Sequence, residues 1–423
     1  MNRFRDFAQR TFESLSVRNY RLFFFGQAIS LSGSWMQRIA QGLLVLELTG
    51  SGTALGIVTA LQALPVLLFG AWGGVVADRM SKRSILYVTQ AVAGLSSLIM
   101  GVLVVTGLIQ LWMVYALAIV LGFVNVFDNP TRQTFVREMV GTDLLTNAVS
   151  LNSMEMNLAR VIGPTIAGVL VVTIGLGTCF LVDGFSYIIV IVMLMRMRAD
   201  ELHPALKLAR AKGQLVEGLR YVWSEPVLRN TLIMMAIIGM FTYEWSVSLP
   251  LLAEFTFDGG ASAYAALSAA MGLGAVAGGL YTAGRRKTTP RMLVISASLF
   301  GASVLLASIS PSLTIAVVAL VIVGFFSINY TSLGNVTLQL NAAPEMQGRV
   351  MSLWTVAFLG STPIGGPVIG FIGEHAGARW SLVVGGLAAL IAAVIGVMAI
   401  HQQRRKEAIS GPTRTLTGHQ RIV

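Results

Sequence analysis

The chain has 423 residues, of which 55% are hydrophobic and 12% are charged. An average soluble domain carries about 25% charged residues, so this composition excludes a water-soluble fold and predicts a membrane protein. The formal net charge of +11 comes without a nucleic-acid-binding motif. We therefore assign it to membrane topology and the lipid surface, and expect no nucleic-acid partner.

Apolar windows long enough to cross a bilayer recur along the chain. A membrane-spanning helix needs about 20 mostly apolar residues. Such windows predict an all-α membrane protein with twelve transmembrane helices, denoted spans one to twelve, over residues 22–46, 53–77, 84–106, 110–129, 147–173, 177–196, 231–251, 261–283, 290–309, 312–338, 350–372 and 378–400. Span one is too long for the core of a signal peptide, so no cleavage is expected.

Basic residues set the predicted orientation. Lys and Arg in short loops stay on the cytoplasmic side of a membrane. With a cytoplasmic N-terminus, every Lys and Arg except Arg38, Arg160 and Arg379 falls at a cytoplasmic segment. An odd number of spans would destroy this alternation. Both termini are therefore predicted to be cytoplasmic, in a multi-pass protein of the bacterial plasma or inner membrane.

Span one carries a polar face. Its polar residues fall within about 100° of arc when successive residues are rotated by 100°, and they are Gln27, Ser30, Ser34, Gln37, Arg38 and Gln41. An ionised arginine at the centre of a membrane helix costs roughly 2.5 to 3.5 kcal/mol on insertion scales, so this face is predicted to line an aqueous cavity. A structural arginine bonded to a neighbouring helix is the alternative for Arg38.

Charged residues crowd the loop after span two. Gly74, Asp78, Arg79, Lys82 and Arg83 lie directly against apolar segments, where they can form a latch that breaks when the protein changes shape. For the basic residues, a purely topogenic role is an equal alternative. Asp78 has the opposite sign to topogenic charge. A latch in which its carboxylate accepts hydrogen bonds from a facing helix N-terminus is therefore favoured for this residue.

Span five repeats the polar pattern of span one. Ser153, Asn157, Arg160 and Pro164 lie on one line of the helix. Together, Arg38 and Arg160 would make the first-half cavity positive. Such a cavity suits an anionic or polar ligand, or else requires nearby acids as counter-ions.

Three acids inside the spans are candidates for proton coupling: Glu155, Asp183 and Glu244. Burial disfavours the ionised carboxylate, so a cavity acid can bind and release a proton as access alternates. Glu244 is the first choice because it lies near the middle of span seven, between Tyr243 and Trp245, whose rings could stack on a flat ligand. The alternatives are a role for Asp183 as a helix-packing counter-ion to an arginine, and lipid-facing positions for the two rings.

A long polar segment divides the chain. Residues 197–228 contain apolar side chains at helical spacing and predict an amphipathic helix on the inner leaflet. The predicted units are therefore an N-terminal six-helix half (1–196), this central cytoplasmic loop, a C-terminal six-helix half (229–400) and a cytoplasmic tail (401–423).

The two halves share a faint internal repeat. Gly163 and Gly365 are 202 positions apart, as are Gly168 and Gly370, and each pair falls in equivalent spans. Duplicated six-helix halves are the plan of a large class of secondary transporters.

Motifs for enzymatic chemistry are missing from the sequence. The single Cys179 excludes an intrachain disulfide, and no span carries paired histidines for a metal site. No phosphate-binding loop is present either. We therefore expect no metal, no cofactor and no direct use of ATP, and a membrane-embedded enzyme is disfavoured.

Several motifs resemble the major facilitator superfamily. The run Gly74-x-x-x-Asp78-Arg79-x-Ser81-Lys82-Arg83 is similar to the loop signature between its helices two and three, with Ser81 in place of the usual glycine. Within the superfamily, the chain resembles the drug:proton antiporter-3 group, which includes macrolide efflux proteins and the enterobactin exporter. The segments that carry this resemblance are 32–40, 48–51, 128–133 and 147–152.

The resemblance implies two pseudo-symmetric six-helix halves that rock against each other in a single-chain transporter. It also implies that Asp78 meets the N-terminus of helix eleven and that Arg83 pairs with Asp128 at the end of helix four. The expected function is proton-driven efflux of a small amphipathic molecule, such as a drug, an antibiotic or a siderophore. An importer or lipid flippase on the same fold, and a degenerate transporter with a regulatory role, are the alternatives.

Overall fold

The computed structural model describes residues 11–203, 214–283 and 289–410, apart from the side chains of Ala71, Asp78, Ala283 and residues 214–216 and 402–410. This part of the chain is predominantly helical. The first six α-helices are α1 (Arg18–Thr49), α2 (Gly52–Arg79), α3 (Lys82–Val105), α4 (Leu111–Val140), α5 (Leu145–Thr173) and α6 (Leu176–Met195).

The later α-helices begin with a short one, α7 (Gln214–Ser224), which lies where the amphipathic helix is predicted. The others are α8 (Pro226–Phe241), α9 (Trp245–Phe255), α10 (Gly260–Ala283), α11 (Pro290–Ser308), α12 (Leu313–Asn341), α13 (Gln347–Leu359), α14 (Thr362–His375) and α15 (Ala378–Ser410). Short 3₁₀ helices cover Glu13–Ser16 and Ala199–Glu201.

Short capped turns make consecutive helices antiparallel. Gly50 ends α1 with a φ of 62°, in the left-handed region that favours glycine. Ser51 then begins α2, its side chain accepting a hydrogen bond from the Ala54 N–H, and Ser81 caps α3 by accepting from the Ser84 N–H. The turns at 50–51 and 80–81 therefore lie at opposite ends of the bundle, here named the Gly50 end and the Ser81 end.

Among the described residues, 11 helical segments are long and apolar enough to cross a membrane. They correspond to predicted spans two to twelve. The remaining prediction, span one, corresponds to α1, which is 32 residues long. Its polar face lowers its mean hydropathy, so α1 is not one of these 11 apolar segments.

Predicted spans seven and eleven are each interrupted. Span seven consists of α8 and α9, which are separated at residues 242–244, and span eleven consists of α13 and α14, which are separated at residues 360–361. Pro363 lacks the N–H that would bond to Leu359 in a continuous helix. At the other break, the Thr242 hydroxyl donates a hydrogen bond to the Gly385 carbonyl of α15 at 2.7 Å. Discontinuous helices often border the sites of transporters.

Helix α2 packs closely on α14 at the Gly50 end. A Cβ added to Gly52 would lie 2.6 Å from the Gly370 carbonyl oxygen. One turn further in, a Cβ added to Gly56 would lie 2.5 Å from the Gly366 carbonyl carbon. Backbones can approach this closely only where small residues face each other. The contact therefore joins the first six helices to the later ones through glycine.

Helix α5 packs on α10 in a similar way. A Cβ added to Gly168 would lie 2.7 Å from the Ala265 Cβ, and a Cβ added to Gly272 would lie 3.0 Å from Val161 Cγ2. Nearer the Ser81 end, the α10 glycine Gly278 packs on Phe325 of α12 instead of on α5. The two halves are therefore joined from the Gly50 end to the middle of the bundle.

The Ser81 end is joined less. Helix α13 buries only Val350 and Trp354 among its side chains. In the described part of the chain, no hydrogen bond links a residue of α1 to α6 with a later helix at this end. Instead, α7 attaches to the later helices, through an ion pair between Glu217 and Arg349 at 2.7 Å.

Candidate transport site and gates

Two arginines converge on one indole in the first half. The Arg38 guanidinium carbon lies 4.6 Å from the centre of the Trp35 ring, and that of Arg160 lies 5.1 Å from a Trp35 ring centre. Arg38 is exposed and Arg160 is half-buried. A Cβ added to Gly163 would lie 2.5 Å from the Trp35 Cβ, so this glycine allows α5 to approach α1 at the indole.

Most of the predicted polar face of α1 is buried. Gln27 accepts a hydrogen bond from Arg132 Nη1 at 2.9 Å, and Gln41 accepts one from Gln62 Nε2 at 2.8 Å. The two glutamines are 1% and 5% exposed. The prediction that Gln27 and Gln41 line the cavity is therefore wrong for this conformation, because α4 and α2 pack over them.

Two further predicted cavity residues are half-buried. The Ser34 hydroxyl lies 3.1 Å from the Tyr187 hydroxyl and thereby links α1 to α6. Asn157 donates a hydrogen bond to the Ser153 carbonyl of its own helix at 2.8 Å. Ser34 lies one turn before Arg38, and Asn157 lies one turn before Arg160 on the face of α5.

Tyr243 and Trp245 pack inside the second half. The Tyr243 hydroxyl donates to the Ser327 carbonyl at 2.8 Å. Its ring centre lies 5.0 Å from that of Phe358 and 5.5 Å from that of Phe300, and Trp245 also packs on Phe300. The alternative that both rings face lipid is therefore wrong. The Trp245 indole N–H is buried without a hydrogen-bond partner among the described residues.

Glu244 lies directly behind the contact between α2 and α14. It is 3% exposed, and its Oε1 has no hydrogen-bond partner in the described part of the chain. The same oxygen would lie 3.0 Å from a Cβ added to Gly365. The next residue, Gly366, is the one that meets Gly56 of α2. A change in the charge of this carboxyl would therefore act close to the junction of the two halves.

Asp183 and Glu155 are also buried. Asp183 accepts a hydrogen bond from the Ser97 hydroxyl at 2.8 Å through Oδ2, while its Oδ1 has no partner. Glu155 is 4% exposed, with Oε1 unpartnered. Neither acid forms an ion pair within the described residues. The alternative of Asp183 as the ion-pair partner of an arginine is therefore wrong in this conformation.

The predicted latch lies at the Ser81 end. The backbone of Asp78 lies in the last turn of α2, but its side chain lies outside the described residues, so its predicted contact with helix eleven stays a prediction. Gly74 is half-buried and Arg79 is exposed. Lys82 forms an ion pair with Glu138 of α4 at 2.5 Å.

The predicted pair between Arg83 and Asp128 is not formed. Arg83 instead donates from Nε to the Leu194 carbonyl at 3.0 Å and from Nη2 to the Met195 carbonyl at 3.2 Å, at the end of α6. Asp128 is 1% exposed and already satisfied, because it accepts hydrogen bonds from Thr89, Gln90 and Arg132.

A carboxylate at the Gly50 end links the two halves. Glu374, in the last turn of α14, accepts hydrogen bonds at the start of α2 from the Ser51 hydroxyl at 2.7 Å, the Thr53 N–H at 2.9 Å and the Thr53 hydroxyl at 2.6 Å. We name these three residues the Glu374 clasp. Glu374 was not among the predicted site residues, although Ser51 at the start of span two and an acid just beyond span eleven were signals for it.

The match to a known family decides what this bundle is. The family model described as transmembrane secretion effector, of the major facilitator superfamily, matches residues 9–414. The chain belongs to this family. The predicted superfamily, the multi-pass membrane location and the assignment as a transporter rather than an enzyme are thereby confirmed.

Relatives with named activities cover most of this transporter. It is 25% identical over 397 residues to the multidrug efflux pump Tap of Mycolicibacterium fortuitum, a match that covers 91% of this chain and 96% of Tap. It is 24% identical over 390 residues to the enterobactin exporter EntS of Shigella flexneri, covering 91% of this chain and 92% of EntS. The predicted resemblance to drug and siderophore exporters is confirmed.

A solved structure shares the fold of this transporter. A bacterial homologue of the human lysosomal transporter Spinster, in an inward-facing and unoccupied conformation, superposes with a TM-score of 0.74 at 14% identity. The match covers 92% of this chain and 98% of that structure.

Proposed function

We propose that the chain is a proton-driven exporter of a small amphipathic molecule, either a drug or a siderophore. One structural observation carries this proposal: the two halves are joined at the Gly50 end and the described residues leave them unjoined at the Ser81 end. With the Ser81 end in the cytoplasm, this conformation is closed to the outside and open to the inside. An exporter takes up its cargo in that state.

The proposed topology has twelve membrane-spanning helices and two cytoplasmic termini. Helix α1 supplies the twelfth span because 32 residues are ample to cross a bilayer and part of its polar face, at Gln27 and Gln41, is covered by α4 and α2. The halves are residues 1–196 and 229–400, joined by the central loop 197–228 and followed by the tail 401–423. A single chain then holds both halves and works as a monomer.

Alternating access requires one closed gate at each end in turn. The Glu374 clasp and the glycine contact of α2 with α14 form the outer gate. Asp78, at the other end of α2, forms the inner gate with the N-terminus of α13 when the halves rock, because a helix N-terminus favours a carboxylate. Gly74, Arg79, Lys82 and Arg83 then brace the turn that carries Asp78.

Proton coupling is assigned first to Glu244. Glu244 forms no ion pair among the described residues, and an ionised carboxylate buried in this way costs several kcal/mol, so this residue stays neutral while α14 covers it. Opening of the outer gate separates α14 from α2, gives water access to the carboxyl group and allows its charge to change. Glu155 and Asp183, which are buried without an ion pair, are the next candidates.

Inside-out membrane vesicles test this function. Acidification of the vesicle lumen should drive accumulation of exported cargo, measured with a radiolabelled macrolide and with enterobactin. Vesicles from a strain that lacks the chain are the control. Cargo that enters right-side-out cells instead would indicate an importer, and movement of a fluorescent lipid between leaflets without cargo transport would indicate a flippase. Either outcome contradicts the exporter.

A further inference from the structure

Neither of the two arginines at Trp35 forms an ion pair with a described acid. The ion pairs of the described residues involve Lys82, Arg132, Arg198 and Arg349, and neither Arg38 nor Arg160 is among them. The Arg160 Nε is buried without a hydrogen-bond partner in the part of the chain that the structure describes. Two positive charges therefore lie near one indole, with no carboxylate in ion-pair contact among the described residues.

The ring alone is a weak partner for two cations. A cation–π contact is a modest attraction, and it does not replace the ion pair that a half-buried guanidinium group such as that of Arg160 would form. The two guanidinium groups also repel each other. An anion placed between them would remove both penalties, so the arrangement is electrostatically incomplete without one.

The nearest acid does not supply this anion. Asp183 lies against α1 at Gly33, where its Oδ1 would be 2.7 Å from an added Cβ. Its other oxygen accepts the hydrogen bond from Ser97, and it forms no ion pair with Arg38. Within the described part of the chain, no carboxylate therefore forms an ion pair with Arg38 or Arg160, and that place is available to a bound anion.

The approach to Arg38 is open on one side only. One turn towards the Gly50 end, Gly42 is covered by second-half residues, since a Cβ added there would lie 3.3 Å from Tyr264 Cε1 and 3.6 Å from Pro250 Cγ. Arg38 itself is exposed. A ligand therefore reaches the arginine pair from the Ser81 end, where the two halves are unjoined.

We propose that Arg38 and Arg160 bind the carboxylate of an amphipathic organic acid, with Trp35 holding both guanidinium groups in position. A guanidinium presents a planar fork of N–H donors that matches a carboxylate, and two forks can hold its two oxygens. The Ser34 and Tyr187 hydroxyls, one turn away, supply further polar contacts. This inference rests on the proposed function, because the organic acid is taken to be the cargo that the exporter carries.

Binding of a matched pair of probes tests the site without transport. The full chain in lipid nanodiscs is titrated calorimetrically with 2-naphthoate and with 2-naphthamide, its neutral counterpart. We expect the wild type to bind naphthoate more tightly. Arg38→Gln and Arg160→Gln should each weaken naphthoate binding by about tenfold or more and leave naphthamide binding unchanged.

Three variants separate a binding role from a structural one. Arg198→Gln removes an exposed arginine that pairs with Glu201 and should bind both probes as the wild type does. Trp35→Phe keeps an aromatic ring with a weaker attraction for cations and should weaken naphthoate binding less than loss of either arginine. If the Arg38→Gln protein is not monodisperse, Arg38→Lys, which keeps the charge, is tested in its place.

Several results would overturn the site. They are undetectable binding of naphthoate to the wild type, equal affinity for the two probes, and naphthoate binding by the arginine variants that matches the wild type. Because the titration needs no proton gradient, a chain that exports nothing from vesicles can still show arginine-dependent binding. If the chain exports a macrolide but does not bind naphthoate, the proposed arginine site is wrong and the proposed function stands.

Discussion

At both the Gly50 end and the Ser81 end, an acid at the end of one span is placed on the pair of spans two and eleven, but the acid belongs to span eleven at the first end and to span two at the second. At the Gly50 end, the last turn of α14 presents Glu374 to the first turn of α2. At the Ser81 end, the last turn of α2 carries Asp78, and α13 begins at Gln347 on the partner side. Spans two and eleven therefore each end in an acid, and only the contact of Glu374 with the start of α2 is formed among the described residues. We expect the contact of Asp78 with the N-terminus of α13 to replace the Glu374 clasp when the halves rock.

The two ends differ in what supports the acid. Gly52 and Gly56 bring the backbones of α2 and α14 together beneath the Glu374 clasp. At the Ser81 end the acid is Asp78, and the nearby ion pair of Lys82 with Glu138 is largely buried and lies within the first half. Close packing stabilises an interface at any salt concentration, whereas exposed charge pairs are screened. The outer gate is therefore expected to depend on shape and the inner gate on charge.

The largest effect is expected from Glu244, which connects the outer contact to protons. Glu244→Gln fixes a neutral side chain behind α14, so substrate binding and gradient-independent exchange should persist while pH-driven accumulation collapses. The measurement is substrate flux in proteoliposomes with and without an imposed pH gradient. The control is Glu254→Gln, an exposed acid that follows on α9. A gradient response equal to the wild type would transfer the role to Glu155 or Asp183.

A side chain at Gly56 should prevent closure of the outer gate. Gly56→Val places methyl groups against the Gly366 backbone, and overpacking of this kind costs about 1 to 3 kcal/mol, so flux should fall by about tenfold or more. A cysteine introduced at Thr59 should become reactive towards an impermeant maleimide from outside the cell.

The matched control for this variant lies on the same helix. A Cβ added to Gly70 would meet only Val66 Cγ1, at 3.7 Å, so Gly70→Ala should leave flux and labelling unchanged. Wild-type flux in Gly56→Val would show that the glycine contact is not part of the gate.

At the Ser81 end, removal of one charge should be sufficient to weaken the inner gate. Asp78→Asn keeps the shape of the side chain but loses the charge-assisted hydrogen bonds, so flux should fall by about fivefold or more at equal expression. Asp143→Asn, an exposed acid in a turn at the same end, is the control. Undiminished transport by Asp78→Asn would remove the latch from the mechanism.

The smallest effect is expected at the Glu374 clasp, because its carboxylate is exposed to water and the glycine contact remains beneath it. Glu374→Gln should change flux by less than about threefold and should raise maleimide labelling at the outer end modestly. The control is Glu47→Gln, at an exposed acid of the same end, which should change neither the flux nor the maleimide labelling. A loss as large as that of Gly56→Val would show that charge, rather than packing, holds the outer gate.

Much of the fold was predictable from the sequence because apolar segments must span the bilayer. The two helix breaks were not predicted, since one depends on a tertiary hydrogen bond from Thr242 to Gly385. The other had a local signal in Pro363, whose missing N–H interrupts the helix.

The site was predictable in part. Arg38 and Arg160 could be paired from helical periodicity because each is the charged member of a polar face. Gln27 and Gln41 obey the same periodicity, but neighbouring helices cover them, and periodicity cannot distinguish a water-lined face from a face covered by α2 or α4. Asp128 was assigned to Arg83 by resemblance, whereas Arg132, one turn away on its own helix, is its partner.

The polarity of α1 also has a consequence for how the protein enters the membrane during synthesis. Helix α1 is not one of the apolar segments, whereas residues Gly52–Gly70 of α2, which follow it, are. The hydrogen bond from Gln62 to Gln41 joins the two. We expect the translocon to release α1 into lipid only together with α2, as a helical hairpin. A chain that is truncated after residue 50 and released from the ribosome should then remain outside the bilayer, and one truncated after residue 81 should be inserted.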